Sequence, residues 1–173
     1  MAKTEQQHQS EVTRAGRRFQ EEIYRVVAEA ITDPNLIVAN FRIKQTHPEV
    51  YNSLQLHTPI GSGHVDADII IFDRRKSLPV VIISCKTSLH GRITESLYSA
   101  HIYRDMYRRL KFFLVTKDNS RRSEWGSEAK APQPRILAAH ENIFVYSTNP
   151  KTSLGGYIKS IDDLIRDIKR CVQ

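Results

Sequence analysis

An α/β layer fold, a sheet with helices packed on it, is what this sequence predicts, and three observations carry the prediction. Apolar residues recur at helical spacing in three stretches: near the N-terminus, mid-chain and at the C-terminus. Between the first two lie short Val/Ile-rich runs joined by a polar turn, the pattern of a β-hairpin. The resulting order (helix, strand, hairpin, helix, strand, strand, helix) suits helices layered on a sheet. At 173 residues a single domain spanning 1–173 is expected, long enough to bury a core without disulfides or metal.

The elements follow in order. Ser10 is placed to cap a helix running to about Ile31, with Val12, Phe19, Ile23, Val26, Val27 and Ala30 on one packed stripe. Arg14, Arg17, Arg18 and Arg25 fall off that stripe and read as a solvated face. Asp33-Pro34-Asn35 stops the helix. Leu36–Ile43 reads as a strand, the region around Glu49–Leu56 as a short helix, and Pro59–Gly63 as a loop. Ile69–Phe72 and Pro79–Ile83 form the hairpin around the polar run Asp73–Ser77. Thr87 or Ser88 can cap a second long helix, whose stripe is Ile93, Leu97, Ala100, Tyr103, Met106 and Leu110. Phe112–Thr116 and Ile143–Tyr146 read as strands. Ser160, with Asp163 at the capping-box position, starts a last helix striped by Ile161, Leu164, Ile165, Ile168 and Val172.

Composition narrows the function. Apolar residues at 40% and charged residues at 26% are ordinary for a globular chain. The net charge of +7 and the pI near 9.5 are not ordinary, and favour a polyanionic partner, nucleic acid before membrane. The stretch 117–135 reads as a long basic loop, holding Lys117, Arg121 and Arg122, well placed to hold DNA phosphates. Two cysteines, Cys85 and Cys171, suggest free thiols in a reducing compartment. No signal peptide and no apolar run of transmembrane length is evident, so a cytoplasmic chain without a membrane partner is expected.

The stretch from His64 to Glu95, HVDADIIIFDRRKSLPVVIISCKTSLHGRITE, carries the chemistry. Asp68 stands directly before the first hairpin run, and the second run ends in Ser84-Cys85-Lys86, eighteen positions after Asp68 at Lys86. Side chains alternate along a strand, so Ser84 and Lys86 share a face. The hairpin can bring Asp68 and Lys86 together at one end of the sheet. A carboxylate beside a lysine there suits metal-assisted phosphodiester chemistry. Cys85 stands mid-strand without an evident base, so a thiol nucleophile is not expected. No Cys cluster or trusted His spacing points to zinc.

These residues resemble the core of the PD-(D/E)XK nucleases. Ala67-Asp68 stands where that family has Pro-Asp, and Ser84-Cys85-Lys86 where it has (D/E)-X-K. Serine in the place of the carboxylate is similar to some type II restriction endonucleases, among them those cutting sites that contain CCGG, which draw a glutamate from the following helix. Glu95, nine positions after Lys86, fits that role. Lys86-Thr87-Ser88-Leu89-His90-Gly91-Arg92 also resembles a Lys-Thr-Ser-Leu-Arg-X-Arg stretch of several restriction enzymes, with His90 in the place of an arginine.

The resemblance implies a restriction-endonuclease-like core with a central mixed sheet flanked by helices. It implies a Mg²⁺-dependent, sequence-specific endonuclease acting on double-stranded DNA. Asp68, Ser84, Lys86 and Glu95 would form the catalytic set, and Asp68, Glu95 and the Cys85 carbonyl the metal ligands. Asp66 or Glu22 are the alternatives for the second carboxylate, Glu22 because such enzymes sometimes borrow a first-helix glutamate. Arg92 is placed to pair with Glu95 or to read a guanine. Arg92, His90, Lys117, Arg121 and Arg122 are the expected DNA contacts. A homodimer is expected, since each core holds one site and a duplex has two strands. The alternative is a heterodimer with a larger recognition subunit. Two further readings stay open: a structure-selective nuclease such as a Holliday junction resolvase, and a non-catalytic DNA-binding protein on a decayed nuclease core.

Overall fold

The computed structural model describes residues 5–40, 42–64, 67–87, 93–117, 143–148 and 158–173. Its main sheet has six strands in the order β1 (Leu36–Ala39), β4 (Ile69–Asp73), β5 (Leu78–Lys86), β6 (Lys111–Thr116), β7 (Phe144–Ser147) and β8 (Ile158–Lys159). The sheet is mixed. The β1–β4 and β4–β5 pairs are antiparallel, and β5–β6, β6–β7 and β7–β8 are parallel. The expected hairpin is the β4–β5 pair. Its polar turn places Ser77 at φ 51°, in the left-handed region.

Helices cover both faces, which is why β4 and β5 read as nearly unbroken apolar runs rather than alternating ones. On one face α1 (Glu5–Ala30) and α5 (Ile161–Val172) bring Phe19, Ile23, Val27, Leu164 and Ile168 onto Ile69, Ile71, Val81, Ile83 and Cys85. On the other, α2 (Ile43–Thr46), α3 (Pro48–Ser53) and α4 (Ile93–Met106) bring Ile43, Val50, Leu97, Ala100 and Tyr103 onto Ile70, Phe72, Ile82 and Leu114. The final helix begins as its sequence demands. Ser160 Oγ accepts the Asp163 N–H, and the Asp163 carboxylate accepts the Ser160 N–H.

Several boundaries differ from the sequence-based expectation. Helix α1 is already helical at Glu5, so Ser10 lies inside it rather than capping it. Val12 and Val26 are exposed rather than packed, because the sheet meets only the narrower stripe of Phe19, Ile23 and Val27. The first strand stops at Ala39, and Ile43 opens α2 instead of ending the strand. The Pro59–Gly63 stretch is not a loop. It turns between β2 (Gln55–Thr58) and β3 (Gly61–His64), a separate two-stranded sheet. The expected cap at Thr87 or Ser88 is not among these differences, because residues 88–92, which lead into α4, lie outside the described residues. Leu110 is buried, but past the end of α4. Strand β8 was not expected. Of the 117–135 stretch only Lys117 is described. Among the described residues, no helix is long and apolar enough to cross a membrane.

Candidate active site

The ladder between β4 and β5 ends at Ile69↔Ile83, whereas β5 runs on to Lys86 beside β6, with Lys86 opposite Thr116. Ser84, Cys85 and Lys86 therefore extend past their β4 partner. At that point Asp68 leaves the ladder and offers its carboxylate in place of a backbone carbonyl. Oδ2 accepts the Cys85 N–H at 2.6 Å. Oδ1 accepts Gln20 Nε2, from α1, at 2.5 Å. Hydrogen bonds to an ionised acceptor are short and strong, so a carboxylate that is only 5% exposed is held on both oxygens.

The three residues of the β5 tip point to different surroundings. Ser84 is buried on the α4 face, its Oγ 3.4 Å from Ser96 Oγ. Lys86 is on the same face by strand alternation and is 9% exposed. Cys85 turns the other way, into the core beneath α1 and α5. Burial pushes its thiol well above the ordinary value, and the Asp68 charge adds to this against a smaller opposing effect of Lys86. A thiol held protonated in this way is a poor nucleophile. The contribution of Cys85 to the site is its backbone.

Glu95 lies in the first turn of α4 with an exposed side chain. Its carbonyl accepts Ser99 Oγ at 2.9 Å, and its neighbour Ser96 is the residue that touches Ser84. Glu22 is half-exposed on α1, where Lys117 Nζ donates to its carboxylate at 2.9 Å. The same ammonium sits 4.9 Å from the centre of the Phe19 ring. Two positions along a helix rotate a side chain by about 200°, so Gln20 and Glu22 cannot both face Asp68. Gln20 does, and sequence reasoning missed it. Its signal is a polar amide next to Phe19 on the packed edge of α1. Asp66, His90, Arg92, Arg121 and Arg122 lie outside the described residues. Among the described residues no group of three or more His, Cys, Asp or Glu is arranged to hold a metal ion.

A mixed sheet between helical layers, with a buried aspartate at the end of a strand that finishes Ser-Cys-Lys, defines a nuclease core of the restriction-endonuclease type. A family model described as BsaWI restriction endonuclease type 2 matches residues 44–169, and the chain belongs to that family of type II restriction endonucleases. Among solved structures it is similar to the specific restriction endonuclease AgeI, determined in complex with DNA. The TM-score is 0.62 at 17% identity, over 92% of this chain and 69% of that one. No curated protein matches the chain. The family match begins after α1, so Gln20 lies outside it, while the structural likeness covers nearly the whole chain.

Proposed function

We propose that this chain is a Mg²⁺-dependent endonuclease that hydrolyses phosphodiester bonds of double-stranded DNA at a specific sequence, with Asp68, Ser84, Lys86 and Glu95 as its catalytic set. The observation that carries the reading is the Asp68 carboxylate, buried and gripped on both oxygens where the strand that ends in Lys86 runs past its β4 partner. Family membership favours a restriction enzyme over a junction resolvase or a decayed, non-cutting core.

The donor chemistry fits a hard divalent cation. Asp68, Glu95 and the Cys85 carbonyl are all oxygen donors, and Mg²⁺ is commonly held by one or two carboxylates together with phosphate and water. When bound, such an ion supplies charge stabilisation at the phosphoryl oxygens and lowers the pKa of a coordinated water. The chain's own residues do the rest. Cys85 N–H and Gln20 fix the direction of Asp68. The Lys86 ammonium offsets charge on the scissile phosphate and orients the attacking water. Ser84, backed by Ser96, supports the site by hydrogen bonding. Glu95 supplies the second carboxylate that Ser84 does not.

Arg92, His90, Lys117, Arg121 and Arg122 are assigned to DNA contact, with 117–135 as a basic loop of a single 1–173 nuclease domain. One site per chain against two strands per duplex implies a homodimer, or a heterodimer with a larger recognition subunit. Incubation with plasmid and Mg²⁺ tests the proposal. Discrete bands that vanish on chelation are expected. Cutting only of branched DNA, or binding without cutting, would overturn it.

A further inference from the structure

The β2–β3 ribbon stands apart from the main sheet and leads directly into the site. Among the described residues it forms a sheet of its own, with Thr58 opposite Gly61 and Gln55 opposite His64. Only Pro59 and Ile60 make the turn. Proline presets the backbone for such a turn, and Gly61 follows at φ 145°, a conformation that side chains rarely adopt. The result holds Ile60 at the very tip, 99% exposed. All four β3 residues are exposed, and a Cβ built on Gly61 or Gly63 would meet nothing. The tip and the β3 strand are therefore slim and exposed, while Gln55 and Leu56 of β2 are half-buried.

Its base is anchored and charged. The His64 ring stacks on Tyr51 with centroids 3.9 Å apart, and His64 Nε2 donates to the Tyr51 carbonyl at 3.1 Å. Exposed Lys44 places its ammonium 5.5 Å from the centre of the Tyr51 ring. Tyr107 donates its hydroxyl to the Ser53 carbonyl, tying the end of α3 to the body. Asp68 comes four positions after His64, a reach of at most ~14 Å, or about four base-pair steps of DNA.

We propose that the β2–β3 ribbon is a DNA-reading finger, with Ile60 as the apolar tip entering a groove and Lys44 at its base meeting the phosphates. The inference rests on the nuclease reading of the Asp68 site. The major groove is about 12 Å wide and admits a two-stranded ribbon. An isoleucine matches the apolar contacts proteins make with thymine methyls or between base steps. A cation at the base and an apolar residue at the tip match DNA, phosphate outside and bases inside, better than they match a second copy of this net-positive chain.

The test is thiol labelling of Ile60→Cys in the full chain, with Ca²⁺ in place of Mg²⁺ and plasmid fragments already shown to be cut by the unmodified protein. Cys85 is buried and Cys171 only partly exposed, and the unsubstituted protein sets their background. We expect DNA to slow maleimide labelling of the new thiol at least tenfold, and Ile60→Asp to lose tenfold or more in affinity for those fragments while unfolding at the same urea concentration. An unchanged labelling rate on saturating DNA would overturn the proposal. So would protection that grows with protein concentration in the absence of DNA, which would place the ribbon between two copies. The two failures are distinguishable: if the nuclease reading fails, no fragment is cut by the unmodified protein, whereas an unchanged labelling rate on fragments that are cut removes the role of the ribbon alone.

Discussion

The Asp68 carboxylate does the work of a missing strand: its Oδ2 accepts the Cys85 N–H at 2.6 Å, beyond the last β4–β5 rung at Ile69↔Ile83. Asp68 is therefore both a proposed metal ligand and a structural partner, and two substitutions separate the roles. Asp68→Asn keeps an acceptor for the amide and removes the charge. Asp68→Ala removes both, and an orphaned buried N–H costs about 1–3 kcal/mol. Both variants should lose cleavage by about 100-fold or more, the scale seen when positioned catalytic groups are removed. Only Asp68→Ala should show a clear drop in urea stability. Wild-type cutting by Asp68→Asn would remove Asp68 from the site.

Gln20 acts on the site through Asp68. Gln20→Ala frees Oδ1 and lets the carboxylate swing, and small misplacements of a reacting group cost on the order of tenfold to 100-fold in rate. The loss should shrink as Mg²⁺ is raised, because the weakened step is ion binding. A rate loss independent of Mg²⁺ concentration would mean that Gln20 supports only the packing of α1.

Lys86→Ala should abolish cleavage and leave folding and DNA binding largely intact, as gel-shift titration in Ca²⁺ can check. Glu95→Gln should reduce cleavage severely by withdrawing the proposed second carboxylate, whereas Glu22→Gln should have a small effect, since Glu22 already pairs with Lys117 at 2.9 Å. If Glu22→Gln is the inactive variant, the second carboxylate comes from α1.

Acid should weaken the fold at the hairpin turn. Asp73 is almost wholly buried, and Arg75 donates to both of its oxygens from its side chain, at 3.0 and 3.2 Å. These bonds, with the Arg75 amide and Lys76 adding to them, outweigh burial and hold the carboxyl below its ordinary value of 3.8. A carboxylate with a depressed folded-state pKa contributes stability that is fully present above the unfolded value and lost as pH falls through the folded one. Urea midpoints should thus fall below about pH 4, and Asp73→Asn should flatten that fall while lowering stability at neutral pH. An unchanged acid limb in Asp73→Asn would assign the acid sensitivity elsewhere.

The α/β class, the β4–β5 hairpin, the amphipathic helices and the placement of Asp68 and Ser84-Cys85-Lys86 at one end of the sheet were legible in the sequence. These are local matters: a period of two or 3.6 is written in neighbouring residues, and a strand's last residue marks its end. The capping box at Ser160 was legible for the same reason. Tertiary structure decided what depends on how the layers stack. Gln20 meets Asp68 across 48 positions because α1 lies over the β4–β5 end. Lys117 meets Glu22 across 95 because β6 finishes beneath the same helix. Ser96 backs Ser84 because α4 covers the opposite face. The β2–β3 ribbon was unreadable, since glycines, histidines and a lone exposed isoleucine bury no face and so leave no apolar alternation to read. Propensity is a property of a segment, but which side chain grips a carboxylate is settled only when distant segments pack.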